Sequence, residues 1–530
     1  MNRFAALLDR LAYEPRRNAK IALIARHFRE TPDPDRGLAL AAMTGGLVFR
    51  HAKAGLVRQL IEERVDPVLF RMSYDYVGDL SETVSLLWPS RPGINHEPTL
   101  AGIVDTLNGA AKSELPARLA GFLDALDETG RWACLKLVTG GLRVGVSARL
   151  AKTAVAALGD VDPDAIEEVW HGLKPPYTEL FAWVEGRGPK PEARDPAPFR
   201  PPMLAHPLED KDLAGIHPET HAAEWKWDGI RVQAVAGVTG AGARVARLYS
   251  RGGDDITAAF PDLADALAFE GAIDGELLVG EAGVVRPFGD LQQRLNRKTV
   301  SAKLIAAHPA MIRAYDLLVD GTEDIRWLPF SERRRRLEAF VARHAHPRLD
   351  LSELVPFASV EDLADRRASA DASREGLMLK RWDAAYLPGR PMGPWWKWKR
   401  EARLVDCVLM YAQRGHGKRS SFYSDYTFGV WRGEAIVPVG KAYFGFTDEE
   451  LKKIDRHVRD NTVDRHGPVR VVAHGRDAGL VFEVAFEGLQ RSTRHKSGLA
   501  MRFPRINRIR WDKPAAEADR IETLERMLPG

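Results

Sequence analysis

Glu224-Trp-Lys-Trp-Asp-Gly-Ile-Arg231 is the stretch on which the reading of this chain turns. Beyond it Ile230, Val232 and Ala234 alternate with Arg231 and Gln233, the period-two pattern of a strand with one apolar face. Lys226 stands at the mouth of that strand, two residues before Asp228 and Gly229 and between Trp225 and Trp227. Apolar surroundings disfavour an ammonium, so the spacing predicts a lysine of lowered pKa, an amine suited to nucleophilic attack. Taken alone, the same residues also read as a surface lysine beside an Asp-Gly turn.

Runs further along the chain decide between the two. Each puts charged residues at the end of an apolar run, where a strand delivers them to a shared cleft. Leu248-Tyr-Ser-Arg-Gly252 delivers Arg251, and Ala272-Ile-Asp-Gly-Glu-Leu-Leu278 delivers Asp274 and Glu276. Ala314-Tyr-Asp-Leu-Leu318 delivers Tyr315, whose ring suits stacking on a base. Glu375-Gly-Leu-Met-Leu-Lys380 delivers a carboxylate and an ammonium; Trp395-Trp-Lys-Trp-Lys399 delivers Lys397 and Lys399. Singly, Asp-Gly-Glu reads as a hairpin turn, Tyr-Asp-Leu-Leu as core, and the tryptophan-lysine run as a surface strand. Jointly they supply what nucleotidyl transfer needs. Lys226 is the amine, Glu276 with Glu375 suits a hard cation such as Mg²⁺, and Arg231, Arg251, Lys397 and Lys399 meet phosphate charge. The same cations are expected to lower the pKa of Lys226 further.

A chain of 530 residues holds roughly three domains. With 45% apolar and 28% charged residues it has the composition of an ordinary globular protein. No apolar run approaches the roughly 20 residues that span a bilayer. Asp9 and Arg10 fall where a signal peptide is apolar, so a cytoplasmic protein with no membrane partner is expected. Cys134 and Cys407 are the only cysteines, which excludes a disulfide framework and a four-cysteine zinc site. A net charge of +4 permits a polyanionic partner without requiring one.

Residues 1 to about 185 read as helices; Leu119, Phe122, Leu123 and Leu126 show the helical period. Ser81 is the expected cap of a helix through Glu82–Leu87. In Leu137-Val-Thr-Gly-Gly-Leu-Arg-Val-Gly-Val-Ser147, Gly140, Gly141 and Gly145 surround Arg143 and lead into a helix beginning near Ala148. That arrangement suits a phosphate, and equally a tight turn between core helices. Prolines 189, 191, 196, 198, 201 and 202 mark a linker that no helix crosses. Strands and helices then alternate, one helix carrying Phe260, Leu263 and Leu267, another Leu337, Phe340 and Val341 behind a Ser331 cap. The run Arg333–Arg336 inside the second reads as a solvated face, with DNA contact the lesser alternative. After Lys399 come five or so short strands and one helix with a Thr447/Glu450 capping box, which suggests a small barrel of the OB type.

Glu-x-Lys-x-Asp-Gly-x-Arg resembles motif I of the covalent nucleotidyltransferases, and specifically of the ATP-dependent DNA ligases. The resemblance implies that Lys226 becomes adenylylated, Glu224 contacts adenine, Arg231 and Arg251 meet ribose and phosphates, and Tyr315 stacks on the base. Phenylalanine is common at that last position. Asp274-Gly275-Glu276 resembles motif III, Glu375 to Lys380 motif IV, and Lys397 with Lys399 motif V, while Arg510-Trp-Asp512-Lys513 resembles motif VI, which orients departing pyrophosphate. In this reading Asp228, Gly229, Asp274, Lys380 and Asp512 support the site, and Asp512 holds no metal alone. The helical region resembles the DNA-binding domain of cellular and archaeal-type ligases, with Gly141, Arg143 and Gly145 as candidate DNA-phosphate contacts. The expected organisation is multidomain α+β: residues 1–195 DNA-binding, 196–400 adenylation, 401–530 OB fold. The expected activity is sealing of nicks in duplex DNA, for repair, replication or recombination, through lysyl-AMP and 5′-adenylylated DNA. ATP and Mg²⁺ (or Mn²⁺) are the expected cofactors, nicked duplex DNA the partner, and a bacterial or archaeal monomer at the nucleoid the setting. The rivals are an RNA ligase or capping-type nucleotidyltransferase, which leaves the helical region unexplained, and a non-catalytic nick-binding scaffold. An NAD-dependent ligase is disfavoured by the cysteine count.

Overall fold

Helical periodicity carries the first part of the chain. Leu119 and Leu123 are buried on helix Leu115–Ala125, with Leu126 buried just beyond it. Helix Ala148–Ala156 begins where expected, the Ser147 hydroxyl accepting from the Leu150 amide at 3.2 Å. The helix expected at Glu82 instead runs Leu80–Leu87 and is capped by Asp79, whose carboxylate accepts from the Glu82 amide at 3.0 Å. Asp79 also pairs with Lys136 at 2.6 Å, an advantage a serine lacks; Ser81 is buried in the first turn against Thr139. The computed structural model describes residues 1–77, 79–89, 97–192, 195–281, 283–295, 297, 299–371, 373–414, 422–466, 469–492 and 495–528, without the side chains of 75 and 76.

By internal packing the chain divides into two units. One comprises Asp164–Gly172 and Glu192–Glu401; the other comprises Met1–Pro163, Leu173–Pro191 and Ala402–Gly530. The first unit contains β1 (His206–Pro207), β2 (His221–Trp227), β3 (Ile230–Val238), β4 (Arg244–Ser250), β5 (Gly271–Glu281) and β6 (Val284–Val285). β7 (Ala310–Asp320), β8 (Glu323–Asp324), β9 (Leu349–Leu351), β10 (Arg374–Arg381) and β11 (Trp395–Lys399) complete it. They form two sheets, one ordered β1-β11-β10-β2, the other β4-β3-β5-β7-β8 with β6 on β5 and β9 on β7. Val232, Ala234, Ile273, Leu277, Ile312 and Ala314 make the core on one face of the larger sheet, as the alternation predicts. Ala223, Leu377 and Leu379, with half-buried Trp225, Trp396 and Trp398, pack on one face of the smaller.

The chain passes from the small sheet to the large one at Asp228–Gly229. Gly229 is required there: a Cβ would stand 2.4 Å from the Leu277 carbonyl oxygen. Asp274-Gly275-Glu276 is no turn but the middle of β5, paired on both sides. Opposite it the register slips, leaving Tyr315 as the extra residue of a bulge, a device that re-aims a side chain. The tryptophan run is no surface strand, for Trp395 is fully buried. Helix Phe330–Arg343 starts after Pro329, with Ser331 inside its first turn and not capping. Arg333 and Arg334 are buried, so the arginine run is not a solvated face.

Beyond Ala402 lie β12 (Arg403–Arg414), β13 (Tyr423–Arg432), β14 (Ala435–Ala442), β15 (Thr462–His466) and β16 (Val469–Val472). β17 (Val481–Phe486), β18 (Gly488–Arg491), β19 (Leu499–Arg502) and β20 (Arg505–Arg510) follow, more strands than the sequence suggests. The main path is β14-β13-β12-β16-β15, with β17 joining β12 to β20 and β18 paired with β19. Helix Asp448–Asp460 carries the expected Thr447/Glu450 capping box and lays Leu451, Ile454 and Val458 into the core. Cys134 and Cys407 are buried and free. No helix among the described residues is long and apolar enough to cross a membrane.

Candidate active site

Sheet register assembles the lysine side of the site, and the shift between Arg374 and Gly376 adds Glu375. Lys226 on β2 pairs with Gly376 and Glu224 with Met378 on β10; Lys399 and Lys397 on β11 pair with the same two residues. Residues opposite one another in a sheet share a face, so Glu224, Lys226, Lys380, Lys397 and Lys399 project to the same side. In the larger sheet Arg231 pairs with Glu276 and Gln233 with Asp274, which puts those four on the face away from the apolar core.

Lys226 donates a short hydrogen bond to Glu375, and Lys399 lies 3.6 Å from the same carboxylate oxygen. Burial depresses the Lys226 ammonium, but Glu375 and then Glu276 more than offset it, so its pKa lies above the ordinary lysine value. The expected lowering is therefore corrected: in the nucleotide-free protein the carboxylates dominate. Burial would raise the Glu375 carboxyl, yet Lys226 and Lys399 hold it below its usual range. Glu276 has no cation so close among the described residues; burial pushes it up to about 8, with Glu375 and Asp228 adding to the effect.

Cations crowd beside this pair. Burial and then Arg390, Lys399, Lys226 and Arg251 lower the Lys397 pKa; burial and then Arg231 and Arg390 lower that of Arg251. None of Lys397, Arg251 and Arg390 has a carboxylate partner among the described residues. Such a cluster is relieved by an anion. Arg231, by contrast, is already engaged, 2.5 Å from Asp274 and 2.9 Å from the Tyr386 hydroxyl, with the Met203 carbonyl also accepting.

Deeper lies a second group. Glu224, 2% exposed, takes Lys380 at 2.5 Å on one carboxylate oxygen and Arg334 at 2.9 Å on the other. Lys380 also donates to the Tyr315 carbonyl at 3.0 Å and lies 4.8 Å from the centroids of the Tyr315 and Trp395 rings. Arg333 forms a fully buried pair with Asp316 at 2.8 Å. Arg334, Arg390 and Tyr386 are not among the residues the motifs single out. Arg333 and Arg334 do carry a signal: they sit four and three residues before Leu337, on the apolar side of their helix.

The remaining candidates lie in the other unit. Arg510 forms an ion pair with Asp512 at 2.9 Å, and Lys513 pairs with Asp406 at 2.7 Å. In the glycine turn Arg143 is exposed with φ of 50°. Lys20 donates to the Val144 and Gly145 carbonyls at 2.8 and 2.9 Å. Each carbonyl turned inward sends the next amide, of Gly145 and of Val146, outward.

A half-buried lysine on a carboxylate, beside a second carboxylate and a flank of cations, is the equipment of a nucleotidyl-transferring enzyme. Comparison with known proteins gives the family. Residues 202–399 match the ATP dependent DNA ligase domain, and 419–513 the ATP dependent DNA ligase C terminal region. A probable DNA ligase of Koribacter versatilis is 30% identical over 99% of this chain and 96% of its own length. DNA ligase 1 of Korarchaeum cryptofilum is 31% identical over 81% of this chain and 77% of its own. A solved structure named Pmar-Lig_PreS3 shares the fold with a TM-score of 0.57 at 14% identity, over 96% of this chain and 99% of that one. The chain belongs to the ATP-dependent DNA ligases. It is accordingly an enzyme that seals nicks in DNA at the expense of ATP.

Proposed function

We propose that Lys226 is the residue that carries AMP. Its ε-nitrogen attacks the α-phosphorus of ATP, an N–P bond forms, and the bond to pyrophosphate breaks. The ammonium gives up its proton to solvent in this step, since Glu375, held below the usual carboxylate range, is a poor acceptor for it. AMP then passes to the 5′-phosphate at a nick, and attack by the adjacent 3′-hydroxyl joins the strands and expels AMP. The observation that carries this reading is the Lys226–Glu375 pair beside Lys397, Arg251 and Arg390, cations with no carboxylate of their own among the described residues. Phosphate oxygens are what that flank lacks. Tyr315 and the Glu224 group would line the base, and Arg231, fixed by Asp274, the ribose side.

Glu276 and Glu375 fit a Mg²⁺ ion, with Mn²⁺ an alternative. Both are hard oxygen donors, and a carboxyl raised to about 8 beside another gains from a cation. No group of three or more such side chains forms a cage among the described residues, which suits an ion that keeps water and phosphate oxygens. When bound it would offset charge on the phosphates.

We further infer a three-domain division at about 195 and 400, an OB-type C-terminal domain, and monomeric action on duplex DNA. Gly141, Arg143 and Gly145 would meet phosphates of that duplex, supported by the outward amides of the turn; Arg510 and Lys513 would orient departing pyrophosphate. Binding through phosphates weakens steeply with salt and ignores sequence. Incubation with labelled ATP, GTP or NAD tests the reading. Covalent label from ATP alone, absent in Lys226→Ala, is expected; transfer from GTP, or label persisting in the variant, contradicts it.

A further inference from the structure

We propose that Asp406 is a positioning residue for lysyl-AMP formation, holding Arg510 and Lys513 in the orientation that pyrophosphate departure needs. This rests on the reading above that those two cations act on pyrophosphate. Asp406 lies on β12, more than a hundred residues before its partners, outside every motif the sequence singles out.

Its Oδ2 accepts from Lys513 at 2.7 Å and lies 3.5 Å from Arg510 Nη1. Its Oδ1 is buried and meets no hydrogen-bond donor among the described residues. A buried carboxylate oxygen left unsatisfied is uncommon and calls for an explanation. Arg510 spends Nε and Nη2 on Asp512, at 3.1 and 2.9 Å, which leaves Nη1 facing Asp406. Lys513 has three ammonium donors and gives one to Asp406, so two stay available to phosphate oxygens. A lysine side chain has four rotatable bonds, and only such an anchor removes its freedom before a ligand arrives.

The surrounding backbone does not need the Asp406 side chain. The Asp406 amide donates to Asp519 at 2.8 Å and its carbonyl accepts from the Asp519 amide at 2.9 Å. The Trp431 indole donates to the Ala515 carbonyl at 2.7 Å, and Ala515 and Ala518 pack with Val408, Trp431 and Val481. The chain after Lys513 is thus tied to β12 and β13 by bonds a substitution at the Asp406 carboxylate leaves in place. What that substitution removes is the aim of the two cations.

The test uses the full chain with Asp406→Asn, Asp406→Glu and Lys513→Ala. Two reactions are timed: transfer of labelled AMP from ATP to the protein, and sealing of a duplex whose nick already carries 5′-AMP. Asp406→Asn is expected to slow self-adenylylation about tenfold or more through kcat, since the lost aim matters as pyrophosphate leaves. Its KM for ATP and its sealing of the adenylylated nick should stay within about twofold, and Asp406→Glu should recover part of the rate. Equal losses in both reactions, or no rescue by glutamate, would mark Asp406 as structural and overturn the proposal. So would wild-type self-adenylylation in Asp406→Asn when Lys513→Ala is slow. Should Lys513→Ala itself be unimpaired, the reading of the two cations falls and the role of Asp406 with it.

Discussion

The site holds two groups of charges built from the same residue types, and they behave oppositely. Around Glu224 one carboxylate sits between Lys380 and Arg334, all three 5% exposed or less. Around Lys226 the side chains are 20% exposed or more, and the flanking cations Lys397, Arg251 and Arg390 face one another without carboxylates among the described residues. The first group is closed: each charge is answered inside the protein, and removing Glu224 leaves Lys380 without its carboxylate and Arg334 with only Glu338 at the surface. The second is open, its excess charge answered only when phosphate arrives. Burial and completeness, not residue type, separate a scaffold from a binding site.

Substitutions that keep shape and remove charge sharpen that contrast. Glu224→Gln leaves the buried Lys380 without its carboxylate and Arg334 with only the half-exposed Glu338, and should destabilise the fold by about 3–5 kcal/mol in denaturant titration. A loss below about 1 kcal/mol would show that the closed group is not closed. Lys397→Ala should raise the KM for ATP about tenfold, roughly 1.4 kcal/mol, with an unchanged melting temperature. If melting shifts and KM does not, Lys397 belongs to the scaffold. Glu375→Gln at the open site should cost about 1 kcal/mol of stability or less, because its partners reach water. Arg335→Ala, on the exposed side of the arginine run, should stay within about 0.5 kcal/mol and leave nicked-DNA affinity unchanged.

The smallest effect is one of protons. The Lys397 pKa is lowered by burial and by Arg390, Lys399, Lys226 and Arg251. A bound polyanion reverses the repulsive part and raises it again, so metal-free ATP should bind with proton uptake at alkaline pH, below the free-lysine value of about 10.4. Calorimetry in buffers of different ionisation enthalpy reads the sign. Proton release would mean that the cations are not crowded as described.

The open site was largely legible in the sequence because strand alternation is short-range. Lys226, Glu276, Glu375, Lys397 and Lys399 each end an apolar run; sheet register sets Lys226 and Lys399 on either side of Gly376, and both come within ion-pair reach of Glu375, which the register shift before Gly376 skips. The closed site was not, since Glu224 and Arg334 are far apart along the chain and a run of arginines reads as solvated until its helix finds a sheet. Direction of charge coupling was missed for the same reason. Trp225 and Trp227 are visible beside Lys226, whereas Glu375 pairs with it only through the fold, and pairing outweighs burial. Helix starts shifted because Asp79 gains Lys136 as a partner, and because Phe330 is buried right at the start of its helix, leaving Ser331 within. Lys20 beneath the glycine turn is likewise a tertiary fact, invisible in the turn's own residues.

Peptide mapping of the protein after incubation with ATP addresses the central claim most directly. An AMP-sized mass increase confined to the peptide bearing Lys226, acid-labile as a phosphoramidate is and lost on adding pyrophosphate, is the result expected. An adduct on another residue, or covalent AMP in Lys226→Ala, would contradict it.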